Sequence, residues 1–252
     1  MEFAYKGADT IRVNFGGFVP LSTVDWRGKS ACVIFLRGCL LGCRNCHNVD
    51  IMGGSDIREF KDIIGLIDIA SPLISGVVFS GGEPTLQEDA LSALARAVIE
   101  NYNMGVSIQT SGINPTCLDS LIYKELVDKI SIDIKPKCRL VGGYIDNYWL
   151  YKQNVQGSLD LCYEQWDVNR LEELEQVVTV FRGEELEIQR IINEEYALNG
   201  EVILQQGNAK GVVSLSFEEL QLLASKIKLP TRIRTRDGGE VRYDPKSEPK
   251  GI

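Results

Sequence analysis

ACVIFLRGCLLGCRNCHN, residues 31 to 48, opens on six apolar residues and runs directly into three cysteines spaced C-x3-C-x2-C. An apolar run of that length, closed by a glycine-containing loop, predicts a buried strand over 31–37. Comparable runs recur at 76–80, 105–110, 129–134, 175–181, 201–205 and 231–235, with longer helix-periodic segments between them. The alternation predicts repeated βα units and a parallel sheet, hence an α/β fold. Helices are expected after Ser55, Thr85, Thr116 and Ser216. Thr85 with Glu88, and Ser216 with Glu219, have capping-box spacing, in which each side chain satisfies an orphan backbone donor near the other.

Two stretches break this rhythm. Residues 137–172 carry Tyr144, Tyr148, Trp149, Tyr151, Tyr163 and Trp166, an aromatic-rich insertion read as an extra packed helix in preference to a surface lid. Residues 237–252 are polar and rich in Gly and Pro and are expected to be a mobile tail, leaving 1–236 as a single domain.

Composition narrows the function. Apolar residues make up 44% of the 252-residue chain, enough to bury a sizeable core, and no apolar run approaches the length that crosses a bilayer. The start lacks the order of a secretory signal, so a cytoplasmic location is expected. A formal charge of −8 opposes a broad grip on phosphate backbones, so nucleic acid is not an expected partner. TRIRTR at 231–236 reads as a solvated strand face. Seven cysteines, three of them within eight residues, suit metal ligation in a reducing compartment better than disulfides.

Cys39, Cys43 and Cys46 offer soft thiolates, which suit zinc or an iron-sulfur cluster. Zinc held by the three cysteines and His47 fits poorly, because the adjacent Cys46 and His47 side chains tend to point apart. Three cysteines can instead hold three irons of a cubane and leave the fourth open to a ligand. His47 and Asn48 read as residues that order the loop. Cys32, Cys117, Cys138 and Cys162 lack paired spacing and read as small buried thiols.

Further motifs close later strands. SGGEPT, 80–85, places Gly81 and Gly82 where a backbone must approach a ligand closely, and Glu83 supplies a carboxylate able to accept from an ammonium group. GVSIQTSG ends on Thr110 and Ser111. KISIDIKP sets Asp133 and Lys135 on one face, since strand side chains alternate. Each motif falls at the carboxyl end of a predicted parallel strand, where the sites of βα barrels are assembled.

On these residues the chain resembles the radical S-adenosylmethionine superfamily, whose fold is a partial (β/α)6-type TIM barrel. The resemblance implies one [4Fe-4S] cluster on Cys39, Cys43 and Cys46, with the open iron chelating S-adenosylmethionine, which is cleaved to methionine and a 5′-deoxyadenosyl radical. It implies cosubstrate contacts from Gly81, Gly82 and Glu83, from Thr110 and Ser111, and from Asp133 and Lys135. An aromatic residue usually precedes the third cysteine near the adenine; here it is Asn45. Residues 17–48 are similar to glycyl-radical enzyme activating enzymes, in the branch assigned to anaerobic ribonucleoside-triphosphate reductase. That implies an oxidoreductase acting under anaerobic conditions on a backbone glycine of a protein partner, supplied with electrons by reduced flavodoxin or a ferredoxin-type donor. Related enzymes often carry an arginine near the fifth strand, where this chain offers Arg182. The rival enzyme is 7-carboxy-7-deazaguanine synthase, which typically has an acidic residue and a threonine where this chain has His47 and Asn48. The rival of another class is a non-catalytic iron-sulfur electron carrier, which has no use for GGEP or D-x-K.

Overall fold

The computed structural model describes residues 10–135 and 147–243. Its strands are β1 (Arg12–Ser22), β2 (Ala31–Leu36), β3 (Ile57–Glu59), β4 (Gly76–Gly81), β5 (Gly105–Thr110), β6 (Lys129–Ile134), β7 (Glu173–Val180), β8 (Val202–Gln206), β9 (Thr231–Thr235) and β10 (Gly239–Arg242). They form one sheet in the order β10-β9-β8-β7-β6-β5-β4-β2-β1-β3. The run from β2 to β9 is parallel throughout, and β1, β3 and β10 add antiparallel edges. This is the partial parallel barrel expected from the sequence, and its seven strands fall where the apolar runs placed them.

The three additional strands were hidden by their composition. β1 contains Gly16, Gly17 and Pro20 and pairs with β2 through two register shifts, so its alternation is broken where sequence periodicity would look for it. Gly16 is required there, because a Cβ would come within 2.9 Å of the Ile51 side chain and 3.0 Å of the Phe35 carbonyl oxygen. β10 turns back on β9 and takes up residues 239–242 of the expected tail.

Helices α1 (Phe60–Ala70), α2 (Glu88–Tyr102), α3 (Pro115–Tyr123), α4 (Tyr148–Asp167), α5 (Glu185–Arg190) and α6 (Phe217–Ala224) connect the strands, and a π-helical turn, Ile191–Glu195, follows α5. Their starts correct several expectations. Residues 57–59 are extended, and α1 begins with a Glu59–Asp62 capping box. Thr85 does not cap α2; it lies in a 3₁₀ turn, Pro84–Gln87, capped by Glu83. Asn114, not Thr116, caps α3, with Pro115 next, where its missing N–H costs nothing. Only Ser216 with Glu219 forms the box expected of it.

The main apolar core lies between the sheet and its helices and includes Ile34, Phe79, Ile108, Ile132, Leu91 and Leu118, all fully buried. A small separate cluster of Trp26, Ala31, Val33 and Val78 occupies the inner face of β2 and β4. Helix α4 comes from the aromatic-rich stretch: Tyr151 is buried in the core, as the packed-helix reading expected, whereas Trp149 is 68% exposed. Residues 137–146, with Cys138 and Tyr144, and residues 244–252 lie outside the described residues. Among the described residues no helix is long and apolar enough to cross a membrane.

Candidate active site

The parallel strands deliver their carboxyl ends to one side of the sheet, and the sequence motifs follow from there. Cys39, Cys43 and Cys46 lie on the loop after β2, half-buried, and the six described cysteines, Cys32, Cys39, Cys43, Cys46, Cys117 and Cys162, are all free thiols. Burial pushes the Cys43 thiol up to about 11, with Lys135 opposing and Cys39, Asp133 and Cys46 adding to the rise. Cys39 is raised for the same first reason, with Glu83 and Cys46 among the nearby charges. The cysteine loop, Glu83, Asp133 and Lys135 thus share one electrostatic neighbourhood.

The glycines also serve the packing of the chain. They permit a close approach of the chain to itself: a Cβ on Gly82 would lie 2.1 Å from the Gly38 carbonyl oxygen, and one on Gly81, at φ +128°, 2.2 Å from that of Leu36. The strands are locked there by Gly82 N donating to Leu36 O at 2.8 Å and Glu83 N to Gly38 O at 2.7 Å. The second motif therefore grips the residue that precedes Cys39.

Glu83 is fully buried and its carboxylate is crowded with donors. Oε1 accepts from Thr85 N at 3.2 Å and from the Thr85 and Thr110 hydroxyls at 2.6 Å each. Oε2 accepts from Ser111 N at 2.8 Å and the Ser111 hydroxyl at 2.5 Å. The sequence placed Glu83, Thr110 and Ser111 at neighbouring strand ends, and the structure brings them into direct contact. Asp133 and Lys135 form an ion pair on the inner face of β6. Burial works against the Lys135 charge, but Asp133 outweighs it and holds the ammonium above its ordinary value. Asp133 Oδ1 is buried with no hydrogen-bond partner among the described residues.

Other contributors carried no motif. Tyr151 of α4 receives the Lys135 backbone N–H on its hydroxyl oxygen at 2.8 Å and so fixes the end of β6. Beneath the site the inner face is polar. Lys129, 1% exposed, pairs with Glu175 at 3.1 Å and Glu173 at 3.3 Å; Glu175 also pairs with Arg234 at 2.9 Å. Arg232 and Arg234 both reach Glu240, at 2.6 Å, which corrects the reading of TRIRTR as a solvated face. Arg27, on the loop between β1 and β2, meets the same Glu240 at 3.0 Å. Arg182 turns to α6 instead, gripping Glu219 at 2.5 Å. His47 is exposed, whereas Asn48 donates to Gly81 O at 2.8 Å. Asn45 is half-buried on the loop.

The donor set fits an iron-sulfur cluster by its chemistry: three thiols on one loop, near strand ends that carry a half-buried cation and a carboxylate oxygen without a partner among the described residues. Among the described residues these side chains are not gathered into a closed metal-binding group.

The chain is similar to several known proteins over the segment that carries these motifs. Residues 33–135 match the Radical SAM superfamily. A protein of Methanocaldococcus jannaschii, provisionally assigned as a glycyl-radical enzyme activating enzyme, is 38% identical over 160 residues, covering 58% of this chain and 61% of its own. The 7-carboxy-7-deazaguanine synthase of Methanospirillum hungatei is 33% identical over 118 residues, covering 46% of each chain. The chain thus spans 61% and 46% of the lengths of these relatives. A solved structure described as native anSMEcpe with bound AdoMet and Cp18Cys peptide shares the fold, with a TM-score of 0.50 at 13% identity over 75% of this chain and 55% of that one. The segment that carries the cysteine loop, GGEP and D-x-K is therefore the part of the chain that is similar to the radical SAM superfamily, and the relatives it resembles include proteins provisionally assigned as glycyl-radical enzyme activating enzymes.

Proposed function

We propose that the chain is a radical S-adenosylmethionine enzyme that abstracts the α-hydrogen of a backbone glycine on a protein partner, a glycyl-radical enzyme. The supporting observation is the convergence at one end of the barrel: the cysteine loop after β2, Glu83 after β4, Thr110 and Ser111 at the end of β5, and Asp133 with Lys135 at the end of β6.

Cys39, Cys43 and Cys46 would hold the cluster, which when bound would supply the electron that cleaves S-adenosylmethionine to methionine and a 5′-deoxyadenosyl radical. The chain's own residues bind and orient the cosubstrate. The Thr110 and Ser111 hydroxyls can rotate away, so Glu83 can exchange a neutral donor for the methionine ammonium without losing its backbone bonds. Lys135 offers a cation and Asp133 Oδ1 a free acceptor to the opposite side of the same ligand. Asn45, beside the third cysteine, takes the place near the adenine. The partner we favour is an anaerobic ribonucleoside-triphosphate reductase, with flavodoxin or a ferredoxin-type protein as donor, on the similarity of residues 17–48. A location in the cytoplasm follows from that partner.

The test is anaerobic reconstitution with iron, sulfide, reductant and S-adenosylmethionine. About four irons per chain and release of 5′-deoxyadenosine are expected, and Cys43→Ala abolishes both. A loaded protein that releases none refutes the radical chemistry. Incubation with candidate reductases then gives a glycyl-radical doublet in electron paramagnetic resonance. Formation of a deazapurine, with no doublet from any candidate, would transfer the chain to the synthase reading that the Methanospirillum relative represents.

A further inference from the structure

The cysteine loop is pinned at both legs by side chains outside the cysteine motif. On the entry leg, Arg37 spends its guanidinium on backbone carbonyls: Nε donates to Phe15 O at 3.1 Å, and Nη1 to Asp50 O at 2.8 Å and Gly53 O at 3.1 Å. Gln87 Nε2 donates to Arg37 O at 2.9 Å. The two legs also bond to each other, Gly38 N to Ile51 O at 2.8 Å and Cys39 N to Met52 O at 2.9 Å. On the exit leg, Asn48 Nδ2 donates to Gly81 O at 2.8 Å.

We propose that Asn48 is a positioning residue for the third cysteine. It lies two residues beyond Cys46, and its amide ties the exit leg to the glycine pair just ahead of Glu83. The same short segment holds the entry leg, Gly82 N donating to Leu36 O and Glu83 N to Gly38 O. One short backbone segment thus anchors both ends of the arc that carries Cys39, Cys43 and Cys46, and fixes Cys46 relative to Glu83. A neutral amide is what the place requires, because the partner is a carbonyl oxygen that only accepts. Aspartate has the same size but no donor and would set two acceptors against each other. The inference rests on the reading of this loop as a metal holder.

The test is anaerobic titration of the full-length apoprotein with cobalt(II), followed by its thiolate-to-cobalt charge-transfer absorption. The parent is expected to bind one ion with a three-thiolate band. Asn48→Asp is expected to keep that band's intensity and the parent's melting temperature while its dissociation constant rises about tenfold, in keeping with one hydrogen bond replaced by a repulsive contact. Asn48→Ala, which adds no charge, should show a smaller rise in the same direction. Unchanged affinity in both variants overturns the proposal, as does a fall in melting temperature that accounts for the whole loss. If neither variant folds, amide exchange in the parent apoprotein decides: protected Cys39 and Glu83 amides support the two-legged anchor, and exchange at free-loop rates refutes it. A parent without a three-thiolate band removes the metal reading of the loop, and the role of Asn48 with it.

Discussion

Replacing Gly82 by alanine should loosen the cysteine loop through backbone contact alone. The new Cβ would stand 2.1 Å from the Gly38 carbonyl oxygen and 2.7 Å from its carbon, distances that no rotamer change relieves because both partners are main chain. The strand ends must part, and the 2.7 Å bond from Glu83 N to Gly38 O is the first to break. Overpacking costs about 1–3 kcal/mol and the lost bond about 1 kcal/mol, so destabilisation of about 2–4 kcal/mol is expected. That is a large share of the roughly 5–15 kcal/mol that holds a domain folded. Gly53→Ala is the control: it lies on the same loop, has no positive φ, and its Cβ would meet nothing within 4 Å. Urea unfolding of the apoproteins, followed by circular dichroism without oxygen, measures both. The reasoning fails if Gly82→Ala lies within about 0.5 kcal/mol of the parent, the ordinary range for innocuous surface changes, or if Gly53→Ala loses as much.

Glu83→Gln keeps the shape but brings an N–H2 group into a ring of five donors, so about 2–3 kcal/mol of stability and most S-adenosylmethionine binding should be lost at unchanged iron content; calorimetric titration checks this. Lys129→Met leaves Glu175 with Arg234 as its nearest cation and should cost about 3 kcal/mol at neutral pH, read by thermal unfolding. Burial pushes the Glu175 carboxyl up, but Arg234 and Lys129 outweigh it and hold it below its usual 4.5. A depressed carboxylate stabilises the fold above its unfolded value and loses that contribution as pH falls through its folded value. The gap between parent and Lys129→Met should therefore narrow below pH 4.5, and a gap constant from pH 7 to 3 would contradict the assignment. Arg182→Ala breaks an exposed pair with Glu219, so less than about 1 kcal/mol of stability and no turnover should be lost; a large kinetic defect would restore the arginine role that the fifth strand suggested.

The strands that build the site were legible because parallel strands are covered by helices, so ACVIFL and GVVF read as short continuous apolar runs and KISIDI as an apolar face of three isoleucines. Glu83, Asp133 and Lys135 stood out for the related reason that charge at the end of a buried strand is costly unless used. β1 was illegible, since two glycines and a proline in RVNFGGFVPLS look like a loop until β2 supplies the partner that tolerates its bulges. The polar inner face was hidden differently. Lys129, Glu175, Arg234 and Glu240 are scattered over more than a hundred residues, each looks like solvent-facing alternation, and only curvature of the sheet turns them inward on one another. Thr85 shows a local rule losing to a tertiary one: its spacing to Glu88 suits a capping box, but the buried carboxylate two residues earlier is the stronger acceptor.

The Arg27–Glu240 bridge joins the loop ahead of β2 to β10, and so crosses from one end of an open sheet to the other beneath the site. A barrel fastened at its base and unfastened at its rim behaves as a cuff. Under the proposed function the rim is the edge that would admit a length of another protein's backbone. A seated substrate would then also be the stopper that shields the reactive radical of the proposed chemistry.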